Sequence, residues 1–318
     1  MLLRAKAAYS LLDYIYIQLP RLPFDGRNAM AKMRYSLCLL FIVAAGATAF
    51  AQTTNAKQQH HHHHDDDRQS FLKHHDDLPL GPEQIAAVVI DMQPLFRDPA
   101  SPWGSSDAVK LFKTLVDSQK NMLKGIHAHT KDAKRNFFTR FITPETPKDA
   151  VEAVPRTGWV NYYRHNHAIT QGELRKNVNA STPGLLMPRT KSTGSKQVLE
   201  YLLDTLPELH EYSKPGTDTT KTTAGAFTSG NFTSALSKFA NVTTLFFAGV
   251  ETDYCLAATV MVALDAGYYA VIVTDAVGSS NQESGKATLD FMFRRFPWQL
   301  RFATSDEVNQ VLGAESNM

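Results

Sequence analysis

Cysteine is nearly absent from this chain, with two among 318 residues, which excludes a disulfide-stapled scaffold. An excess of either charge is missing too. The 33 basic residues are offset by 31 acidic ones, so there is no polybasic field of the kind that holds nucleic acid. No apolar run is long enough for a comfortable membrane span. The stretch from Leu37 to Ala45 is about half of the roughly 20 residues that a bilayer requires. No internal repeat is visible. What is present is 43% hydrophobic residues, enough for one good-sized core.

Met30 to Gln52 reads MAKMRYSLCLLFIVAAGATAFAQ. A basic start, a short apolar centre and Ala49-Phe50-Ala51 before Gln52 form the layout of a secretory signal peptide with a small-x-small cleavage site. Residues 1–51 are therefore expected to be upstream sequence plus signal peptide, with Met30 or Met33 as the start. The mature product is expected to be periplasmic or secreted, without a stable membrane span after cleavage. An uncleaved anchor is the rival reading. Cleavage removes Cys38 and leaves Cys255 alone, and a single unpaired cysteine in an exported protein is flagged as a reactive thiol.

Residues 52–80 are polar and almost without apolar side chains, so they are expected to be a disordered linker. They hold His60, His61, His62, His63 and His64, followed by three aspartates. Two readings stand for this tract: loose binding of a transition metal by neutral imidazoles, or a solvated tail with incidental affinity. The first admits a non-catalytic, exported metal-binding protein.

The globular domain is expected over residues 81–313, with 314–318 as a tail. Ile85 to Ile90 is a continuous apolar run, as in a strand covered on both faces of a parallel sheet. Helical spacing follows from Val109 to His129, then a strand from Asn136 to Ile142 and a helix from Gln197 to Leu206. Strands at Thr243–Ala248 and Ala270–Thr274 flank a helix from Cys255 to Ala266. This alternation predicts an α/β fold, a three-layer αβα sandwich with a mainly parallel sheet. Ligands in such folds sit at the carboxyl ends of strands, and Asp91 and Cys255 both fall at such ends. Cys255 follows the apolar run and polar turn from Phe246 to Tyr254, at or near a helix start, where the helix dipole favours a thiolate. The alternative is a small buried hydrophobe. His127, His129, His165 and His167 are spaced i,i+2 and read as surface residues.

An ordered set of motifs carries a resemblance. Ile90-Asp91-Met92-Gln93, Thr139-Arg140-Phe141, Gly249-Val250-Glu251-Thr252-Asp253-Tyr254-Cys255, Ala263-Leu264-Asp265-Ala266-Gly267-Tyr268 and Val273-Thr274-Asp275-Ala276-Val277-Gly278-Ser279-Ser280 resemble the isochorismatase-like cysteine hydrolases from about Ile85 to Leu312. The resemblance implies that fold and an Asp–Lys–Cys triad of Asp91, Lys221 and Cys255. Lys221 is chosen over Lys214 because it stands at the family's distance from a following phenylalanine, here Phe227. Also implied is an oxyanion hole from the backbone N–H groups of Cys255 and Glu251, after a cis Val250–Glu251 peptide. The nucleophilic cysteine favours hydrolysis of a small amide, carbamoyl or ureido C–N bond through a thioester. Cleavage of a vinyl ether, as in isochorismate-type hydrolases, is the alternative within the family. The Asp-x-His metal site of nicotinamidases is not present after Arg140, and no cofactor is expected. Substrate-pocket candidates are Gln93, Phe96, Arg140, Trp159, Tyr163, Phe227 and Tyr254. Trp159, Tyr162 and Tyr163 form either an aromatic lid or core packing. The expected partners are a small-molecule substrate and further copies of the chain.

Overall fold

The structure, a computed structural model, describes residues 75–152, 157–188 and 194–315. The expected signal peptide and the histidine tract lie outside them. Strand β1 (Ile85–Ile90) leads into a short helix α1 (Pro94–Arg97) and then the long helix α2 (Ser106–Thr130). Strand β2 (Asn136–Phe141) is followed by α3 (Thr157–His165), α4 (Gln171–Asn177) and α5 (Ser195–Leu203). The remaining order is β3 (Asp218–Lys221), α6 (Gly230–Leu236), β4 (Thr244–Val250), α7 (Ala257–Asp265), β5 (Tyr269–Gly278), α8 (Gln282–Arg295), β6 (Leu300–Ala303) and α9 (Ser305–Glu315).

The six strands form one parallel sheet in the order β3-β2-β1-β4-β5-β6. Every residue of β1 is fully buried, which is why its sequence is uniformly apolar and not alternating. Ile85, Ala87 and Val89 point into a core shared with Phe112, Met122 and Ile126 of α2 and Val308 and Leu312 of α9. Ala86, Val88 and Ile90 point the other way, into a core with Phe232 of α6, Val260 and Leu264 of α7 and Met292 of α8. The result is the three-layer αβα sandwich. Helix α2 begins where the Ser105 hydroxyl accepts the Ala108 N–H at 3.0 Å. It ends at Lys131 in the left-handed region, φ 56°. A third cluster, with Tyr163, Leu174, Val198 and Leu202 from the segment between β2 and β3, gathers around Leu95 and Phe141.

The strand order reverses direction between β1 and β4, the switch point at which such sheets bind ligands. There Ile90 pairs with Gly249. Gly249 has φ +114°, and a β-carbon on it would stand 2.0 Å from the Ile90 carbonyl oxygen. Only glycine permits this approach.

Two boundaries and the burial of one histidine differ from expectation. Leu78 and Leu80 are buried in the first core, and the Leu80 carbonyl meets His129 Nε2 at 2.8 Å, so the domain starts before residue 81. Helix α9 runs through Glu315, past the expected end at 313. His129 is a buried residue, unlike the exposed His127, His165 and His167. Among the described residues no helix is long and apolar enough to cross a membrane.

Candidate active site

Asp91 is the first residue after β1 and holds a left-handed backbone, φ 52°, uncommon for a residue with a β-carbon and frequent where function constrains the chain. Its amide donates to the Thr139 carbonyl at 3.0 Å, and the Thr139 hydroxyl donates to its Oδ1 at 3.0 Å. Lys221 ends β3, with β2 between it and β1. Two strand spacings of nearly 5 Å separate its backbone from that of Asp91, and the long side chain closes the gap across the end of β2. Its Nζ donates to Asp91 Oδ2 at 2.6 Å, to the Thr223 carbonyl at 3.1 Å and to Cys255 Sγ at 3.4 Å, and lies 4.9 Å from the centre of the Phe141 ring. Asp91, Lys221 and Cys255 are all buried. Lys214 sits instead in a turn, where its carbonyl accepts the Thr217 and Asp218 N–H groups.

Cys255 lies in a π-helical turn, Thr252–Leu256, just before α7. The Glu251 carbonyl accepts the Tyr254 and Leu256 N–H groups, and the Cys255 carbonyl accepts the Thr259 hydroxyl at 2.7 Å. The Val250–Glu251 peptide is cis.

The electrostatics differ from those of a thiolate at a helix start. Burial pushes the Cys255 thiol well above its ordinary pKa, the neighbouring Asp91 carboxylate adds to this, and Lys221 opposes it. Burial and the carboxylate both favour the protonated thiol over the thiolate in the resting site. Burial also raises Asp91, against the pull of Lys221. Burial works against charge on Lys221, yet Asp91 and Cys255 together hold its pKa above the usual value. A carboxylate lifted towards neutrality beside a protonated thiol is suited to accept a proton.

A cavity of about 350 Å³ opens over Cys255. Of the residues expected in the pocket, Phe96 and Tyr254 line it. Gln93 does not: it is a buried clamp, its side chain bonded to the Phe141 N–H and to the Leu203 carbonyl at 2.7 and 2.8 Å. Arg140 is held by Asp218 and Asp204. Successive strand residues point to opposite sides, so Phe141, which does line the cavity, carries Arg140 away from it. Trp159 and Tyr163 pack against each other and Tyr162, and the Tyr163 hydroxyl donates to the Thr222 carbonyl. Phe227 packs on Phe232 and Tyr268. Of the aromatic trio, Tyr162 alone is in the wall, beside Trp103, Glu251, Asp253 and Ser280. Trp103 stands in a loop whose sequence carries no periodic signal, whereas Asp253 sits inside the cysteine motif and Ser280 closes the motif that starts at Val273. Among the described residues no group of three or more His, Cys, Asp or Glu side chains could hold a metal ion.

A family model described as the isochorismatase domain matches residues 86–304. Among solved structures, a cysteine hydrolase from Pseudomonas syringae pv. phaseolicola is similar at 14% identity and TM-score 0.52, with 74% of this chain and 96% of that chain covered. An isochorismatase-like hydrolase from Alkaliphilus metalliredigens is similar at 16% identity and TM-score 0.47, over 72% and 98% of the two chains. Comparison with curated proteins gives no match. The fold, the order of its motifs and the family model agree, and the chain belongs to the isochorismatase family.

Proposed function

We propose that this protein is an exported cysteine hydrolase that cleaves a small amide, carbamoyl or ureido C–N bond. The observation that carries the reading is the position of Lys221 Nζ, 2.6 Å from Asp91 and 3.4 Å from the Cys255 sulfur, with Cys255 itself lining an open cavity. Asp91 takes the Cys255 proton as the sulfur attacks the substrate carbonyl. Lys221 offsets the negative charge, and the backbone N–H groups of Cys255 and Glu251 receive the oxyanion, an interaction worth several kcal/mol to the barrier. The tetrahedral intermediate collapses, the C–N bond breaks, and protonated Asp91 returns its proton to the departing nitrogen. Water then attacks the thioester, giving its proton to Asp91, and the proton passes to the leaving sulfur. These steps use one thiol, one carboxylate and one ammonium and need no cofactor. The raised pKa of Asp91 supports the reading, because burial increases its affinity for the proton it must accept from the thiol. The protein acts on a small molecule, as the cavity volume suits, and assembles as a homo-oligomer.

Screening amides, carbamoyl compounds and ureides for ammonia or amine release tests this, with Cys255→Ala as the control. Release that persists undiminished in Cys255→Ala would sink the thioester mechanism.

A further inference from the structure

The cavity wall contains two carboxylates, Glu251 and Asp253, and no lysine, arginine or histidine. Both are fixed in place. Glu251 Oε2 accepts the Ser280 N–H at 2.5 Å, and Asp253 Oδ1 accepts the Ser279 hydroxyl. Burial works against charge at Asp253, but the Ser279 and Ser284 hydroxyls hold its pKa below the ordinary value, so it is ionised at neutral pH. Lys221 supplies no free counter-charge to an incoming ligand, since Asp91 already neutralises it at 2.6 Å. The apolar part of the wall is aromatic: Phe96 and Trp103 stack with ring centres 5.3 Å apart, and Phe141 stands 5.8 Å from Trp103. Aromatic faces attract cations and offer nothing to anions. A dehydrated anion in this cavity would meet two like charges and no donor of positive charge.

We propose that the site selects an amide-type substrate bearing a positive charge, an ammonium or amidinium group held against the aromatic wall and the Glu251 and Asp253 carboxylates, and that it turns away anions such as a dicarboxylate vinyl ether. This rests on the reading of the cavity as the reaction site. It adds a substrate class that the three reacting residues leave open.

Two matched reagent sets test the charge selection without requiring the substrate. Methanethiosulfonates carrying a trimethylammonioethyl or a sulfonatoethyl group are reacted with the full chain. Modification of Cys255 is followed by peptide mass, and each rate is normalised to that of a small free thiol. The cationic reagent should react at least about tenfold faster, the lower end of what a cleft lined by the opposite charge confers. The ratio should shrink with added salt and approach unity in the double variant Glu251→Gln, Asp253→Asn. Equal rates, or a faster anion, overturn the proposal. Should the buried thiol resist both reagents, calorimetric titration with benzyltrimethylammonium and with benzenesulfonate decides. Tighter binding of the cation by at least about tenfold supports charge selection, and any other result, including no binding, overturns it. Neither measurement involves turnover, so a catalytically active Cys255→Ala would remove the thioester mechanism while leaving the charge preference separately measured.

Discussion

At the scale of single residues, Lys221 and Lys214 pose the sharpest contrast. Both precede Phe227, but only Lys221 is buried, with its ammonium against Asp91 and the sulfur. Replacing it by methionine leaves a buried carboxylate without its partner, a loss that costs several kcal/mol. Turnover of Lys221→Met should fall by two orders of magnitude or more, whereas Lys214→Met should change it little, since a solvated charge contributes about 1 kcal/mol or less. Steady-state kinetics on a substrate found by the screen decides, and a dead Lys214→Met with an active Lys221→Met reverses the assignment. Cys255 gives a second test. Its folded pKa is raised by burial and by Asp91, so the thiolate forms only as pH climbs above the free-thiol value of about 8.5. Iodoacetamide alkylation should therefore be slow at neutral pH and rise with a midpoint above that value. Removing the carboxylate in Asp91→Asn should lower the midpoint. A midpoint at or below 8.5 in the unaltered chain would contradict the buried-thiol description. The sequence singled out Asp91 and Cys255 within ordered motifs and Lys221 by its distance from Phe227, and the structure brings the three side chains together. The protonation state of the thiol was not, because it depends on burial and on a carboxylate distant in the chain.

At the scale of elements, legibility followed hydrophobicity. Strands β1, β2, β4 and β5 are the inner four; β1, β4 and β5 carry apolar runs that stand out, and β2 (NFFTRF) is marked by its three phenylalanines. The edge strands β3 (DTTK) and β6 (LRFA) carry no such run and were not foreseen, although β3 delivers Lys221. The sequence also placed a helix start at Cys255, where a π-helical turn precedes α7. That single-turn widening depends on where the backbone carbonyls of Glu251 and Thr252 find donors, which no side-chain pattern encodes. The seam between β1 and β4 offers a test at this scale. A β-carbon at Gly249 would overlap the Ile90 carbonyl at 2.0 Å, and φ +114° is closed to alanine. Gly249→Ala should cost on the order of 4 kcal/mol or more, since the clash is with backbone and neither strand can move without parting Asp91 from Cys255. Chemical denaturation measures this directly, and a loss below about 1 kcal/mol would mean that the two strands separate more readily than their register implies.

At the scale of the whole molecule, the question is what lies before the domain. The proposed export predicts a mature chain beginning at or near Gln52, because Ala49-Phe50-Ala51 precedes it. Intact mass of the exported protein checks this, and a mature form that keeps Leu37 to Ala45 would contradict it. The polar segment that follows is separable from the hydrolase only up to a point set by packing. Leu78 and Leu80 are 6% and 5% exposed within the first core, and the Pro79 carbonyl accepts the Thr244 hydroxyl at 2.8 Å. These contacts tie residues 78–80 to the start of β4 and to His129 near the end of α2, and they explain why a boundary drawn from polarity alone fell a few residues late. Removal of residues 52–74, histidine tract included, should leave turnover unchanged, because the described site draws on residues from 91 onward. Extending the deletion through Leu80 exposes a groove that two leucines had filled and should cost about 3 kcal/mol or more. For a domain of this size that lowers the melting temperature by roughly 6 °C or more. Thermal unfolding and turnover of the two truncations, measured side by side, separate the roles. Loss of turnover in the shorter deletion, with the melting temperature intact, would give the histidine tract a part in the reaction and overturn the division between linker and enzyme.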